Sequence, residues 1–197
     1  MHSELAKIAG VIGLLGSIPY VLSILNRKTV PNPATWWVWS IVGWIAFFSY
    51  FAAGGKETHW LMLSYAIGPS VIGLLSFKYG KVSSLDKFDV GCLLICLISF
   101  ILWKATANPL IALLIMLGID MTGALPTLRK TYYEPDTEDT LPWLVFCIGN
   151  TINFFNILVF EDWNAVSIPY PLYLFMLSFS MIILINRKRL ISRQKTN

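Results

Sequence analysis

The chain has 197 residues, of which 56% are apolar, 14% aromatic and only 13% charged, with a mean hydropathy of +0.64. Soluble domains average about 25% charged residues, whereas the charges here cluster between apolar runs of about 20 residues, the length at which a helix crosses a bilayer. An ordinary soluble core is excluded, and the net charge of +4 reads as a topology signal that needs no nucleic-acid partner.

Taken in chain order, the predicted spans are Leu5–Leu25, Ala34–Gly54, Trp60–Phe77, Val90–Ala105, Leu110–Leu128, Leu141–Phe160 and Ser167–Ile185. Hydrocarbon offers the backbone no water, so spans are helices or closed barrels. These runs lack strict alternation and are about twice as long as a barrel strand, which makes them helices. In the first, Glu4, Lys7 and Pro19, with no small-residue cleavage site, argue against a removable signal. Gly10, Gly13 and Gly16 recur there every three residues, a spacing suited to close helix packing. Asn32-Pro33 opens the second span, and Asp139-Thr140 with Pro142 opens the sixth. Each pairs a capping side chain with a proline that needs no N–H in a first turn. Gly68-Pro69 implies a bend in the third. Cys92, Cys96 and Cys147 lie inside spans, away from His2 and His59, and read as packing residues; neither a metal nor a cofactor is expected. The stretch Arg129–Thr140 is too short for a soluble module. Its acids Glu134, Asp136, Glu138 and Asp139 match no cation-ligand spacing, and a solvated turn is expected.

The basic residues set the orientation. Seven spans put Lys7, Lys56 and Lys104 on one side. The other side holds Arg27, Lys28, Lys78, Lys81, Lys87, Arg129, Lys130, Arg187, Lys188, Arg189, Arg193 and Lys195. Short Lys/Arg-rich loops stay cytoplasmic, so the N-terminus is expected outside and the C-terminus inside. Trp36, Trp37 and Trp143 then fall at the inner interface, and Trp60, Trp103 and Trp163 at the outer one, as an aromatic belt.

An internal repeat suggests the architecture. One constant offset superposes Pro19 on Pro126 and Trp36 on Trp143, each proline leading through a basic, proline-containing loop to an aromatic helix. Residues 1–78 and 109–187 read as two triple-helix units, with 79–108 a linker helix and its flanking loops, and 188–197 a basic cytoplasmic tail. One linking span restores the orientation of the second unit, which gives the parallel-repeat plan found in some secondary transporters. The proline near the inner end of the first helix, the short basic loop and the aromatic helix opening resemble the PQ-loop/SWEET superfamily. That superfamily includes sugar facilitators, lysosomal amino-acid exporters and bacterial nicotinamide riboside carriers. Pro19-Tyr20 and Pro126-Thr127 stand where its name has Pro-Gln. The segments Asp120-x-x-Gly123-Ala-Leu-Pro126-Thr-Leu-Arg-Lys130 and Asn32-Pro33-Ala-Thr-Trp36-Trp37 also look like a set of bacterial membrane proteins without assigned function. The resemblance implies an all-α, seven-helix 3+1+3 protein of the bacterial inner membrane, a small-molecule substrate, alternating access, and association into homo-oligomers as one arrangement.

Ten of the eleven acids fall in loops or tails, and Asp120 is the exception. It lies about ten residues into the fifth span, ~15 Å deep at ~1.5 Å per residue, and an ionisable residue there is a functional candidate. Asn150 has similar depth in the sixth span, and Asn153 follows it on the same face. Asp120, Asn150 and Asn153 are expected to form a polar wall, with Trp39 and Trp44 beside it. Pro19 and Pro126, each lacking a helix donor, are the candidate hinges. The expected function is transport of a small neutral or cationic polar solute, such as a sugar, nucleoside or amino-acid derivative, with Asp120 coupling it to protons or a cation. The competing role for Asp120 is a tie between helices. A receptor or adaptor of the same fold would need a cation to hold a peptide carboxylate, and no Lys or Arg is predicted at midplane. An ion channel would need a charged ring or filter loop, and an aspartyl enzyme paired carboxyls; neither pattern is present, and no enzymatic activity is expected.

Overall fold

The computed structural model describes residues 2–52, 59–80, 85–106, 109–160 and 168–194. Among them the chain forms α1 (His2–Leu25), α2 (Pro33–Ala52), α3 (His59–Tyr79), α4 (Lys87–Ala105), α5 (Pro109–Tyr133), α6 (Thr140–Phe160) and α7 (Pro169–Gln194), with one 3-10 turn at Pro135–Thr137. The expected span ends at Gly54 and Ser167, and Lys56, Lys81, Trp163 and Lys195, lie outside the described residues.

The helix starts follow the local chemistry. Asn32 Oδ1 accepts from Ala34 N at 2.9 Å and Thr35 N at 3.4 Å, so the cap directly precedes the proline that opens α2. Asp139 Oδ1 accepts from Leu141 N at 3.2 Å at the start of α6. Two helices run further than the hydropathy pattern suggests. α5 continues past Leu128 to Tyr133, and α7 continues past Ile185 to Gln194, taking up residues expected to form the tail. At that end Asn186 Nδ2 donates to Ile182 O and Thr140 Oγ1, while the Arg187 guanidinium donates to Tyr132 O and lies 4.2 Å from the centroid of its ring. The two helices brace one another beyond their apolar stretches. α1, α3 and α5 run through Pro19, Pro69 and Pro126 without a break in helix assignment.

Among the described residues, Lys87–Ala105, Thr140–Val159 and Pro169–Arg187 are long and apolar enough to cross a membrane; Leu15–Leu25 and Pro33–Phe48 are shorter apolar stretches. α4 turns Leu94, Ile95, Leu97, Ile98, Ile101 and Leu102 outward, each more than half exposed. A continuous apolar face of that kind suits lipid and not water. The chain is a helical membrane protein.

α1 and α2 both pack along α3, and α5 and α6 both pack along α7. Between these sets α1 lies against α6 and α2 against α5, while α4 lies chiefly on α5 and touches α2. One core cluster joins Tyr20, Ile24, Trp36, Ile72, Trp143 and Met181; a second joins Val38, Val42, Cys96 and Ile119. Trp36 and Trp143 are therefore core residues, each 3% exposed, and not members of an aromatic belt. Both pack on Tyr20, with centroids at 4.6 and 6.1 Å. Their flat rings fill the space where α1, α2 and α6 converge.

Two glycines set how closely helices approach. A Cβ at Gly16 would sit 2.6 Å from Phe146 Cδ1, across the α1–α6 contact. A Cβ at Gly43 would sit 2.4 Å from Tyr65 O, where α2 meets the backbone of α3. Small residues permit such contact between membrane helices, and a backbone atom, unlike a ring, cannot swing aside. Gly43→Ala should therefore destabilise the protein by about 1–3 kcal/mol, read as a lower thermal midpoint in detergent. Gly91→Ala, where a Cβ meets nothing within 4 Å, should keep or slightly raise the midpoint, since alanine favours the helix over glycine. Equal midpoints for the two variants would contradict this packing.

Candidate functional site

Asp120 is only 4% exposed in the interior of α5. Pro169 opens α7 just before Tyr170 and Tyr173, and that three-residue spacing puts both phenols on one helix face. Both hydroxyls lie near the Asp120 carboxyl. Tyr173 Oη is buried beside it and completes no hydrogen bond. From α2, Trp39 Nε1 donates to the Asp120 carbonyl oxygen at 3.4 Å. From α4, the Cys96 thiol donates to Ile119 O at 3.4 Å, next to it. The buried carboxyl thus lies near two hydroxyls of α7, while the indole of α2 and the thiol of α4 bond the main-chain oxygens of Asp120 and Ile119. Among the described ion pairs none involves Asp120.

The other expected wall residues distribute differently. Asn150 Nδ2 donates to Leu174 O at 3.1 Å and Ser178 Oγ at 3.3 Å, which ties α6 to α7. Asn153 is half-buried on α6. Trp44 Nε1 donates to Ser70 Oγ at 3.0 Å, inside the α2–α3 seam. Of the residues singled out beside Asp120, Trp39 is the one that the described contacts bring to it. Tyr170 and Tyr173 escaped the sequence reading because tyrosine at a span end looks like an interfacial anchor; the Tyr-x-x-Tyr spacing was the available signal.

A second polar centre occupies the end of the bundle where the α1–α2 and α5–α6 connections meet. The 3-10 turn closes through Thr137 N to Glu134 O at 3.0 Å and Glu138 N to Pro135 O at 3.3 Å. The extended Glu138 that follows is 4% exposed. Tyr20 Oη donates to its carboxylate, 3.0 Å from each oxygen. Trp143 Nε1 donates to Oε2 at 3.0 Å, and Lys130 Nζ to Oε1 at 2.6 Å. Lys130 also donates to Val30 O, Val30 N to Thr137 O at 2.9 Å, and Ser23 Oγ to Asp139 Oδ2 at 2.9 Å. The acidic stretch is therefore not simply a solvated turn. Lys130 neutralises Glu138, and three further elements enclose the pair.

Beside this centre lies a cavity of about 340 Å³ lined by residues that include Asn32, Asp86, Asp89, Pro126, Arg129 and Lys130. Asp86 caps α4, with Oδ1 accepting from Phe88 N at 2.8 Å and Asp89 N at 3.0 Å, and Asp89 returns a bond to the Asp86 amide. Arg129 of α5 pairs with Asp86. Among the described residues, no cluster of three or more His, Cys, Asp or Glu has a metal-holding arrangement. The chain matches no protein-family model, curated protein or solved structure with which it was compared.

The Arg129 guanidinium, with the α4 amides, holds the Asp86 carboxyl below its ordinary range. A folded-state pKa below the unfolded one contributes stability that is complete above the unfolded value, ~4. That contribution is lost as pH falls through the lowered folded value. Hydrogen-exchange protection of the Phe88 and Asp89 amides should accordingly fall as pH drops below ~4. In Asp86→Asn, which keeps an acceptor but no titrating group, protection should stay flat over the same range. A flat wild-type profile would show that the ion pair does not hold the start of α4.

Proposed function

We propose that the chain is a small-solute transporter of the bacterial inner membrane, with its N-terminus outside and its C-terminus cytoplasmic. In this reading α1–α3 and α5–α7 are two parallel triple-helix units, joined by α4 as a seventh span, that rock against one another. The observation that carries it is Asp120, a buried carboxyl near the Tyr170 and Tyr173 hydroxyls, with Trp39 bonded to its main-chain oxygen and no basic partner among the described ion pairs. An interhelical hydrogen bond in a membrane is worth only ~0.6 kcal/mol on average. That return is small for a carboxyl in the bundle interior, and ionisable groups in such places mark solute and proton pathways.

The packing supports the repeat. Exchanging α1, α2 and α3 for α5, α6 and α7 turns the α1–α3 contact into α5–α7, α2–α3 into α6–α7, and α1–α6 into α5–α2. Each of these contacts exists. The resemblance to the PQ-loop/SWEET superfamily supports the same plan and the class of function. A negative site without a cation favours a neutral or cationic polar solute, since an anion would meet repulsion that low dielectric strengthens. Hydroxyl groups both donate and accept, so Tyr170 and Tyr173 can satisfy Asp120 with or without its proton. That is the property a proton-coupling carboxyl requires.

Uptake of radiolabelled sugars, nucleosides and amino-acid derivatives into proteoliposomes tests this directly. For one proton per solute, an inward gradient of one pH unit sustains about tenfold accumulation. Asp120→Asn should abolish that accumulation and retain downhill exchange. Normal accumulation by Asp120→Asn, with a lowered melting temperature, would assign Asp120 to tying helices together.

A further inference from the structure

The polar centre at Glu138 divides between the two triple-helix units in a particular way. Lys130 and Trp143, which hold its carboxylate from α5 and α6, belong to its own unit. Tyr20, which reaches it from α1, belongs to the other. Four more contacts cross the same seam: Ser23 Oγ to Asp139, Lys130 Nζ to Val30 O, Val30 N to Thr137 O, and Thr127 N to Thr35 Oγ1 at 3.2 Å. The seam is closed, with Tyr20 and Thr35 at 0% exposure and Thr127 at 1%.

The arrangement suits release. Withdrawing Tyr20 leaves Glu138 still neutralised by Lys130 and bonded by Trp143, so separation strands no bare charge, the outcome that makes most buried ion pairs costly to break. The crossing contacts also sit beside the two prolines. Tyr20 follows Pro19, and Thr127 follows Pro126. A helix missing a hydrogen bond at proline bends there at little further cost, and a bend at either site moves the residue that crosses the seam.

We propose that the Tyr20–Glu138 contact, with the Ser23–Asp139 bond beside it, is a releasable lock that holds the two triple-helix units closed at this end. Its purpose rests on the transporter reading; its existence as a closure rests on the contacts alone. Opening the seam exposes Thr35, and the lock sets how often that happens.

Thr35→Cys supplies the probe, in full-length protein in proteoliposomes, with peptide-resolved labelling by a water-soluble maleimide. The buried native Cys92 serves as an internal reference. Adding Tyr20→Phe deletes one hydroxyl bond to a carboxylate and keeps the ring. It should raise labelling at position 35 roughly tenfold and leave Cys92 unchanged. An unchanged rate at position 35 overturns the lock; so does an equal rise at Cys92, which reports general loosening. Solute uptake in the same vesicles separates the two ideas. Selective labelling without uptake of any solute keeps the lock and removes the transporter reading. Uptake with unchanged labelling removes the lock alone.

Discussion

A carboxylate taken out of water must be given a partner for its charge and for its lone pairs, and Glu138 imposes that requirement where four segments of the chain meet. Lys130 supplies the charge, and Tyr20 and Trp143 supply further donors. Those three residues come from α5, α1 and α6, so one side chain fixes the mutual position of three helix ends. Its neighbours extend the constraint, with Val30 tied to Thr137 and Ser23 to Asp139. Removing the cation alone would leave the carboxylate uncompensated, a loss of about 3–5 kcal/mol for buried pairs. The tight packing of Tyr20 between Trp36 and Trp143 follows from the same demand, since a phenol that must reach Glu138 has to lie between those rings.

Asp120 answers the same requirement differently. The groups near its carboxyl are hydroxyls from α7, which carry no fixed charge and can both donate and accept. Glu138 has a fixed cation and two further donors. Asp120 has no fixed cation among the described ion pairs. On the transporter reading this contrast separates closure from coupling: the seam governs access, and the interior carboxyl governs what access is coupled to.

Much of this was legible in the residues and some was not. Asn32-Pro33 and Asp139-Thr140 with Pro142 marked helix starts because capping and the missing proline N–H are local effects. Asp120 stood out because a charge inside an apolar run is conspicuous. Trp36 and Trp143 were harder. A tryptophan at a span end has the same local pattern whether it meets headgroups or a neighbouring helix, and only the convergence of α1, α2 and α6 put them in the core. Glu138 was masked by its company, since four acids in one short stretch look solvated. Its burial depends on Lys130 and on Tyr20, more than a hundred positions away. Asn150 follows a related pattern: its depth along α6 was readable, but its bonds to Leu174 and Ser178 depend on how α6 lies against α7.

The central claim is that α1–α3 and α5–α7 move as two bodies about a seam that this structure holds closed. Spin-label distances in lipid nanodiscs test it most directly, with Cys92, Cys96 and Cys147 replaced by alanine. One label pair, Lys78→Cys with Leu141→Cys, bridges the units at exposed positions. Another, Lys28→Cys with Lys78→Cys, stays within the first. The account predicts two distance populations for the bridging pair, the longer one enriched by Tyr20→Phe, and a single population for the internal pair. One narrow, unshifted distance for the bridging pair, with and without Tyr20→Phe, would contradict it.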